Sequence, residues 1–378
     1  MKYKIFIHQT HHTIADFSAM EDTLIRVLKV APDGLHLFPE LFLAGYPLQD
    51  LCLQRPFIDQ LLETRQKIDR ISQSLPSNDN KLLAFGGLDY IFDHKLIPQQ
   101  IENSVFILGA GSPMKKLYTK KLLPNYDIYD EKKYFTSGDQ LKDNWGLLDW
   151  QGETIAFSIC EDMWAGAFHS IDPTRELKSK LVKEQIDLGL FINLSASPFT
   201  LKKHTRRLER AKEISHFLQV PFIYVNRVGG EDEILFDGQS FVVMGDDVIT
   251  QLPAFSARST EITRDKIQPS TPIVYRDYGL ENTWESLFTP EWELNNHNVR
   301  LRALTQSELQ QLLDSLKFGI QEYAKKNGLK KFVVALSGGI DSALVLTIAK
   351  LALQSEQEIE AIFMPGLFSA PLSRELSE

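Results

Sequence analysis

Apolar and polar residues follow two different periods along the first 260 residues, and this pattern predicts strands that alternate with helices. Short apolar runs predict strands at 3–8, 34–40, 81–91, 103–111, 154–160, 187–195 and 221–229. Apolar residues spaced three and four apart predict helices at 17–31, 56–75, 174–185 and 203–219. The segment 114–124 begins as a strand, and 240–252 has the pattern of a hairpin. Because several strands are apolar on both faces, we predict an α/β fold with helices covering the sheet.

After residue 256, proline, threonine, asparagine and charged residues interrupt the pattern, which indicates a connecting segment at the surface. A new unit begins at Thr305, which has the spacing of a capping box with Glu308 and starts a helix predicted over 305–328. A strand at 330–336, the loop SGGIDS, a second helix and the strand EIEAIFM follow this helix. We therefore expect a first domain, a connecting segment and a second domain at 1–260, 261–300 and 301–378.

The composition argues against several classes of protein. The 378 residues carry a formal net charge of −9, whereas a nucleic-acid-binding protein usually presents a basic face. No apolar run approaches the roughly 18 residues that predict a membrane span, and the N-terminus has no signal-peptide pattern. The two cysteines provide no disulfide framework. His8, His11 and His12 are grouped without cysteine or carboxylate ligands, which favours a polar loop over a metal site. We therefore predict a cytoplasmic protein that binds neither nucleic acid nor membrane.

Side chains with catalytic potential stand where predicted strands end. Cys160 ends the strand at 154–160, Glu40 ends an earlier strand, and Lys120 precedes a turn that contains Pro124. A cysteine nucleophile needs a base for its proton and a cation or hydrogen-bond donor for the oxyanion. Taken singly, each residue also fits an ordinary place: a cysteine in the core, a glutamate in a turn, a lysine on a solvated surface. Together, the three residues indicate nucleophilic catalysis.

The segments that contain these residues resemble the carbon–nitrogen hydrolase (nitrilase) superfamily and its Glu-Lys-Cys triad. The stretches FPELFLAGYPLQDL, KKLLPNYDIYDEKKYF, ICEDMW, NLSASPF and VNRVGGEDEILFDGQSF are similar, more closely, to the glutaminase domain of the glutamine-dependent NAD synthetase family. This resemblance spans almost all of residues 1–260. It implies a nitrilase-type four-layer α-β-β-α sandwich, an arrangement that hydrophobic periodicity alone does not predict.

The resemblance also implies a role for each residue of the triad. Glu40 would be the general base, Cys160 the nucleophile and Lys120 the cation that stabilises the tetrahedral intermediate, with Lys121 as the alternative lysine. Glu131 matches a second carboxylate of the family, which orders the lysine and the substrate. The implied reaction is hydrolysis of the glutamine side-chain amide through a thioester, with release of ammonia. Glu40 and Lys120 would ionise the thiol.

Four further residues match positions at which the family binds glutamine, namely Tyr126, Glu161, Ser197 and Lys203. Glu161 would face the α-amino group of glutamine, and its backbone N–H would donate to the oxyanion. The chain departs from the family at Glu231, where the family often has glutamine, and at Lys203, near which it often has arginine. A lysine pairs with a carboxylate without the bidentate geometry of arginine. The basic run at 202–212 otherwise has the pattern of a solvated helix face.

The stretch FVVALSGGIDSALVL predicts a strand, a glycine-rich loop and a helix, which together place backbone N–H groups and a helix N-terminus near an anion. The loop is not a Walker A motif, because the Gly-Lys-Ser/Thr ending is missing. It resembles the pyrophosphate-binding loop of ATP pyrophosphatases, which implies a Rossmann-like domain that uses ATP and Mg²⁺. The residues implied to bind ATP or pyrophosphate are Ser337, Gly338, Gly339, Asp341 and Ser342.

Together, the two resemblances imply a ligase that forms C–N bonds, in which ammonia from glutamine amidates ATP-activated deamido-NAD to give NAD. Residues 301–378 correspond to only the first part of the family's synthetase domain. We therefore expect a partial Rossmann-like domain, and a chain that by itself hydrolyses glutamine, without a cofactor, but does not form NAD. The resemblance also implies a homo-oligomer. Two alternatives stay open: another amidase of the superfamily, and an inactive binding or assembly subunit.

Overall fold

The structure is a computed structural model, and it describes residues 3–126, 128–166, 169–278 and 303–377. These residues form two compact units. The first unit contains the described residues up to 278 except 232–235, and the second contains 232–235 and the described residues from 303 onward. None of the helices in these ranges combines the length and apolar content that a bilayer-spanning helix needs.

Strands and helices alternate along the chain, as the hydrophobic pattern predicts. The described α-helices are α1 (Phe17–Val30), α2 (Arg55–Ser74), α3 (Glu131–Tyr134), α4 (Pro173–Glu184), α5 (Lys203–Leu218), α6 (Gln306–Lys326), α7 (Ile340–Ala352) and α8 (Pro371–Glu375). The described strands are β1 (Lys4–Gln9), β2 (Gly34–Leu37), β3 (Lys81–Phe92), β4 (Pro98–Gly109), β5 (Lys115–Thr119), β6 (Leu147–Trp150), β7 (Glu153–Ile159), β8 (Leu188–Ser195), β9 (Phe222–Asn226), β10 (Val228–Glu231), β11 (Ile234–Asp237), β12 (Phe241–Met244), β13 (Asp247–Gln251), β14 (Arg258–Thr263), β15 (Lys331–Leu336) and β16 (Glu358–Phe363).

Two six-stranded mixed sheets form the centre of the first unit. Their strand orders are β14-β1-β2-β3-β4-β5 and β13-β12-β9-β8-β7-β6. The sheets face each other across an apolar core, in which Ile5 and Ile7 of β1 lie with Ile155 and Phe157 of β7. Because side chains alternate along a strand, the neighbouring residues of β7 point to the opposite face of its sheet.

Helices cover the outer faces of both sheets. Leu177 of α4 and Ile214 of α5 pack with Ala156 of β7 in a second apolar cluster. Helices α1 and α2 contact β3 and β4 of the other sheet, where the guanidinium of Arg65 lies 4.4 Å from the ring centroid of Phe106. The layers therefore run helix, sheet, sheet, helix. The four-layer α-β-β-α sandwich expected from the resemblance is confirmed.

Strand boundaries differ from the prediction at several places. The pattern misses β14, which pairs antiparallel with β1 and extends past residue 260, because its sequence RSTEIT has a single large apolar residue. It also misses the short strand β6, at the edge of the second sheet. The strand predicted at 221–229 is interrupted at Arg227, so that β9 and β10 are separate strands. The Arg227 side chain donates to the carbonyl oxygens of Tyr46 and His12.

The second unit begins with the predicted helix α6. Thr305 Oγ1 accepts a hydrogen bond from the Glu308 backbone N–H, and Glu308 Oε2 accepts one from the Thr305 backbone N–H, at 3.3 and 2.7 Å. Strands β15 and β16 are parallel, and α7 connects them. The predicted strand, loop and helix around SGGIDS are therefore confirmed. The short helix α8, which opens with Pro371, was not among the predicted elements.

Candidate active site

The three residues expected to form the triad lie just beyond strand ends of the two sheets. Glu40 follows β2, Lys120 follows β5, and Cys160 follows β7. Lys120 and Cys160 line one small pocket, and Lys120 contacts Glu40 directly. The pocket also brings together all four residues expected to bind glutamine, and its full lining is Tyr46, Lys120, Pro124, Tyr126, Tyr129, Cys160, Glu161, Trp164, Ser197 and Lys203.

Three donors hold the Glu40 carboxylate, which is 1% exposed. Its Oε1 accepts hydrogen bonds from Lys120 Nζ and Asn103 Nδ2, both at 2.8 Å. Its Oε2 accepts one from the backbone N–H of Ala196, at 2.8 Å. A carboxylate with three donors stays in one orientation, which a general base needs.

Lys120 joins two buried carboxylates. Its Nζ lies 2.8 Å from Glu40 Oε1 and 2.8 Å from Glu131 Oε1. Burial by itself would lower the pKa of Lys120, but the charges of Glu131 and Glu40 outweigh it and raise that pKa well above its ordinary value. Burial raises the pKa of Glu131 to about 7, although Lys120 opposes this shift and Tyr46 donates a hydrogen bond to the carboxylate. Lys120 is therefore a permanent cation between two carboxylates.

The neighbouring lysine points elsewhere. Lys121 Nζ lies 2.7 Å from Glu176 Oε2 and 4.8 Å from the ring centroid of Trp145. It does not line the pocket that contains Cys160. The geometry therefore favours Lys120 over Lys121 as the lysine of the triad.

Cys160 has a left-handed backbone conformation, with φ of 38°, at the start of the 3₁₀ turn Cys160–Trp164. Such a conformation is uncommon for a residue with a side chain, and it is found preferentially at functional sites. Burial raises the pKa of the thiol well above its ordinary value, and Glu40 adds to this effect while Lys120 opposes it. The expectation of a thiol already ionised in the free site is therefore not met. Lys120 lowers the pKa of the thiol, but burial and the Glu40 carboxylate outweigh this effect.

We predict that alkylation of Cys160 by iodoacetamide has a midpoint above pH 9, because only the thiolate reacts and its pKa is raised. In the Glu40→Gln variant the midpoint should fall, because the carboxylate charge that opposes ionisation is gone. Peptide mass spectrometry at a series of pH values measures the rate at Cys160 separately from Cys52. A midpoint at or below that of a free cysteine would contradict the prediction.

Glu161 and Lys203, both expected to bind glutamine, have pKa values far from their ordinary ones. The Tyr126 hydroxyl donates to Glu161 Oε2 at 3.1 Å. Burial raises the pKa of Glu161 to about 8, with Lys120 and the Tyr126 hydrogen bond opposing the shift. Lys203 is the first residue of α5, and burial lowers its pKa to about 8. The pocket therefore holds an acid and a base whose charged forms are disfavoured by burial.

A fully buried arginine, Arg207, shapes the pocket at Ser197. Its Nη2 donates to the carbonyl oxygen and Oγ of Ser197 at 3.0 and 3.1 Å, and its Nη1 lies 2.8 Å from Asp237 Oδ1. The expectation that 202–212 is a solvated helix face is therefore wrong at this position. Arg207 is buried because Asp237 offsets its charge and carbonyl oxygens accept its protons.

The position of Glu231 bears on one departure from the family. Its Oε1 lies 3.1 Å from Nη2 of Arg227, and neither residue lines the pocket. Arg227 also donates to the carbonyl oxygen of Tyr46, which does line the pocket. Glu231 therefore connects to the pocket through Arg227 rather than directly.

Several residues of this site were not identified from the sequence. Asn103 and Ala196 hold Glu40, Tyr46 holds Glu131, and Arg207 holds Ser197. Asn103 lies within β4, whose sequence PQQIENSVFILG has other polar residues around it, so no local signal distinguishes Asn103. The backbone N–H of Ala196 carries no such signal.

The SGGIDS loop connects β15 to α7 in the second unit. Gly338 has a φ of 78°, and a Cβ there would lie 2.5 Å from the carbonyl oxygen of Ser373. Ser337 Oγ accepts a hydrogen bond from the backbone N–H of Gly339 at 3.3 Å and lies 3.1 Å from Ser342 Oγ. Asp341 lies in the first turn of α7. The loop thus presents hydroxyl groups, a backbone N–H and one carboxylate together.

Within the described ranges, no group of three or more histidine, cysteine, aspartate or glutamate side chains is arranged to hold a metal ion. His8 Nε2 lies 3.0 Å from Nδ1 of His36, and its Nδ1 lies 2.7 Å from Ser259 Oγ. Burial lowers the pKa of His8 to about 3, so this ring is neutral. The geometry of His8 is that of a hydrogen-bonded side chain.

Comparison with known proteins gives consistent matches for both units. The NAD synthase family model matches residues 312–377. The glutamine-dependent NAD(+) synthetase of Aquifex aeolicus is 29% identical over 97% of this chain and 61% of its own length. The enzyme of the same name from Synechocystis sp. is 31% identical over 89% of this chain and 54% of its own length. The chain therefore spans between half and two thirds of the length of these relatives.

Solved structures extend the comparison. The glutamine-dependent NAD+ synthetase from Acinetobacter baumannii, in complex with ADP, superimposes with a TM-score of 0.74 at 25% identity, covering 99% of this chain and 62% of that chain. An amidase of the nitrilase superfamily from Nesterenkonia superimposes with a TM-score of 0.53 at 19% identity, covering 69% of this chain and 90% of that chain. The second match shows a shared fold alone.

Proposed function

We propose that this chain, a relative of the glutamine-dependent NAD(+) synthetases, hydrolyses the side-chain amide of glutamine through a thioester on Cys160. The observation that carries the proposal is the contact of Lys120 with both Glu40 and Glu131 beside a half-buried thiol. This arrangement supplies a nucleophile, a base and a cation in one place. In the whole protein, the ammonia would amidate ATP-activated deamido-NAD to form NAD.

The first half-reaction forms the thioester. The Cys160 sulfur attacks the amide carbon while the thiol proton passes to Glu40, because the thiol is protonated at rest. The carbonyl oxygen gains negative charge, which the Lys120 ammonium and the backbone N–H of Glu161 stabilise. Glu40 then donates the proton to the departing nitrogen, the C–N bond breaks, and ammonia leaves.

The second half-reaction releases glutamate. A water molecule adds to the thioester carbon and gives a proton to Glu40, and Lys120 again stabilises the oxyanion. The C–S bond then breaks, and the Cys160 thiolate takes the proton back from Glu40. One glutamine and one water give one glutamate and one ammonia, and the site returns to its starting state.

Glutamine suits the unbalanced charges of this pocket. The Glu161 carboxylate would pair with the α-ammonium group, and the Lys203 ammonium with the α-carboxylate. Because the pKa values of Glu161 and Lys203 are both about 8 in the free site, each group becomes more fully charged when the zwitterionic substrate supplies its partner. A simple aliphatic amide provides neither charge, so we expect discrimination against it.

Intact-protein mass spectrometry after treatment with a diazo-ketone analogue of glutamine, together with an assay of ammonia released from glutamine, tests this proposal. We expect one adduct per chain, at Cys160, and ammonia release that is much faster from glutamine than from propionamide. Faster release from propionamide would favour the alternative of another amidase. Absence of both the adduct and ammonia release would overturn the proposal and favour an inactive binding subunit.

We also propose that the SGGIDS loop binds the phosphate groups of ATP. The hydroxyls of Ser337 and Ser342 and the backbone N–H of Gly339 would donate to phosphate oxygens, and Asp341 would hold Mg²⁺. Bound Mg²⁺ would offset the negative charge of the phosphates.

Homo-oligomerisation and a cytoplasmic location stay predictions. Light scattering, which measures the mass of the assembly in solution, tests the prediction of a homo-oligomer.

The Gly338→Ala variant should bind Mg-ATP at least about tenfold more weakly, because a Cβ 2.5 Å from Ser373 O forces the loop to change shape. Gly328→Ala is a matched control in the same unit. Gly328 also has a positive φ, of 64°, but none of the described atoms lies within 4 Å of the position that its Cβ would take. Isothermal titration calorimetry measures both affinities. Equal weakening in the two variants would contradict the assignment.

A further inference from the structure

The Asp162 carboxylate holds the turn that carries the nucleophile. Asp162 lies two residues after Cys160 and is fully buried. Its Oδ2 accepts a hydrogen bond from the backbone N–H of Ile159 at 3.0 Å, which holds the residue directly before the turn. The Tyr118 hydroxyl donates to the same oxygen at 2.9 Å.

The other oxygen of this carboxylate holds the segment that carries the lysine of the triad. Asp162 Oδ1 accepts hydrogen bonds from the backbone N–H groups of Lys121 and Leu122, at 3.1 and 2.8 Å. Both residues follow Lys120 directly and lie beyond the end of β5. Burial raises the pKa of Asp162 to about 6, so the carboxylate is ionised at pH 7.5 and can accept all four hydrogen bonds.

We infer that Asp162 is a positioning residue, which fixes the Cys160 turn of one sheet against the Lys120 segment of the other. This inference rests on the proposed function, in which Cys160 and Lys120 act on the same substrate carbonyl group. The two residues follow strands of different sheets, and apolar packing between sheets tolerates small shifts. A displacement of about 1 Å at a reacting group can lower a rate by about 10²-fold. A single carboxylate that accepts hydrogen bonds from both segments restricts such shifts between the two sheets.

The Asp162→Asn variant breaks one side of this link with almost no change in volume. An asparagine offers one acceptor oxygen, while its amide group is a donor. Whichever way the amide is turned, its N–H₂ group faces backbone N–H groups, either that of Ile159 or those of Lys121 and Leu122. One of the two catalytic segments therefore loses its acceptor.

Asp172→Asn is a matched control outside the pocket. Asp172 Oδ1 accepts hydrogen bonds from the backbone N–H groups of Thr174 and Arg175, at 3.0 and 3.1 Å, and its Oδ2 accepts one from the Tyr278 hydroxyl at 2.9 Å. Like Asp162, it accepts from backbone N–H groups and a tyrosine hydroxyl, and its Oδ2 also lies 3.4 Å from Nε of Arg175. Its substitution should lower the thermal midpoint of unfolding without changing the kinetics of glutamine hydrolysis.

The test compares kcat and KM for glutamine hydrolysis in the two variants, with thermal unfolding as the measure of stability. We expect Asp162→Asn to lower kcat by about 10- to 100-fold and to change KM by a smaller factor, because Ser197 and Lys203 lie outside the turn and only Glu161 of the binding groups lies in it. We expect Asp172→Asn to keep the kcat of the unsubstituted chain. A folded Asp162→Asn variant with unchanged kcat would overturn the inference and leave Asp162 a purely structural residue.

Amide hydrogen exchange on the unsubstituted chain provides a second test, which needs no variant to fold. If one carboxylate holds all three backbone N–H groups, Lys121 and Leu122 should be protected to within about tenfold of Ile159, although they lie outside a strand. Rapid exchange at Lys121 and Leu122 beside a protected Ile159 would overturn the inference. If the chain releases no ammonia from glutamine, the proposed function fails, whereas the exchange pattern still decides whether Asp162 joins the two segments.

Discussion

In the Cys160→Ala variant, we expect glutamine hydrolysis to fall by about 10⁴-fold or more, because removal of the nucleophile of a catalytic unit typically costs as much as about 10⁶-fold. The fold should be retained, because the substitution removes one half-buried sulfur atom and leaves the pairs of Lys120 with Glu40 and Glu131 unchanged. The measurements are ammonia release from glutamine and the thermal midpoint of unfolding. The diazo-ketone adduct should also be absent, since its attachment atom is gone.

The Cys52→Ala variant is the matched control. Cys52 is fully buried in the 3₁₀ turn Gln49–Leu53, where its thiol donates to the carbonyl oxygen of Gln49 at 3.0 Å. It does not line the pocket, so its substitution should cost some stability and leave hydrolysis intact. If Cys160→Ala kept a substantial part of the activity, or if Cys52→Ala lost as much as Cys160→Ala, the assignment of the nucleophile would be wrong.

The sequence was sufficient to predict an element of structure where the segment itself carries a local signal. The capping box of Thr305 and Glu308 is local, so both hydrogen bonds of the N-terminus of α6 could be predicted from two letters three residues apart. The polar strand β14 has no such signal. It is a strand because β1, more than two hundred residues earlier, offers its edge for pairing, with Lys4 opposite Thr263.

The same distinction applies to the candidate active site. Glu40, Lys120 and Cys160 could be selected because each follows a predicted strand and lies in a motif with a family resemblance. Their partners could not, because Asn103 lies within β4 and Ala196 just after β8, and only the folded chain brings them to Glu40. Periodicity predicts which face of a strand is buried, but it does not predict which polar atoms meet at the end of that strand.

The charge at the site also depends on the fold. The family resemblance implied that Glu40 and Lys120 would ionise the thiol of Cys160. In the folded chain Lys120 contacts both Glu40 and Glu131, so two carboxylates offset one ammonium group. Burial and the charge of Glu40 raise the pKa of the thiol, so in the proposed reaction proton transfer to Glu40 is part of the chemical step.

For Lys120→Met, we expect glutamine hydrolysis to fall by about 10²- to 10³-fold, the usual effect of removing a group that stabilises an oxyanion. We also expect a loss of about 3–5 kcal/mol in the free energy of unfolding at neutral pH, because Glu40 and Glu131 would remain buried without their cation. Lys120 lowers the pKa of Glu131, so its removal raises that pKa further above about 7. A carboxyl group with a raised pKa in the folded state binds its proton more tightly than in the unfolded chain. Part of the lost stability should therefore return as the pH falls from 8 to 5.

The Lys121→Met variant is the control. It shows whether the losses of hydrolysis and stability are specific to Lys120 or follow the removal of any lysine in this segment. Lys121 pairs with Glu176, whose side chain is 34% exposed and can be hydrated when the lysine is removed. We therefore expect a stability loss below about 1 kcal/mol, little dependence of that loss on pH, and hydrolysis close to that of the unsubstituted chain. Chemical unfolding at pH 8 and pH 5, with ammonia release at pH 8, measures all three quantities. A larger loss of hydrolysis in Lys121→Met than in Lys120→Met would assign stabilisation of the oxyanion to Lys121. A stability loss in Lys120→Met that does not depend on pH would show that unpaired carboxylates are not the cause of that loss.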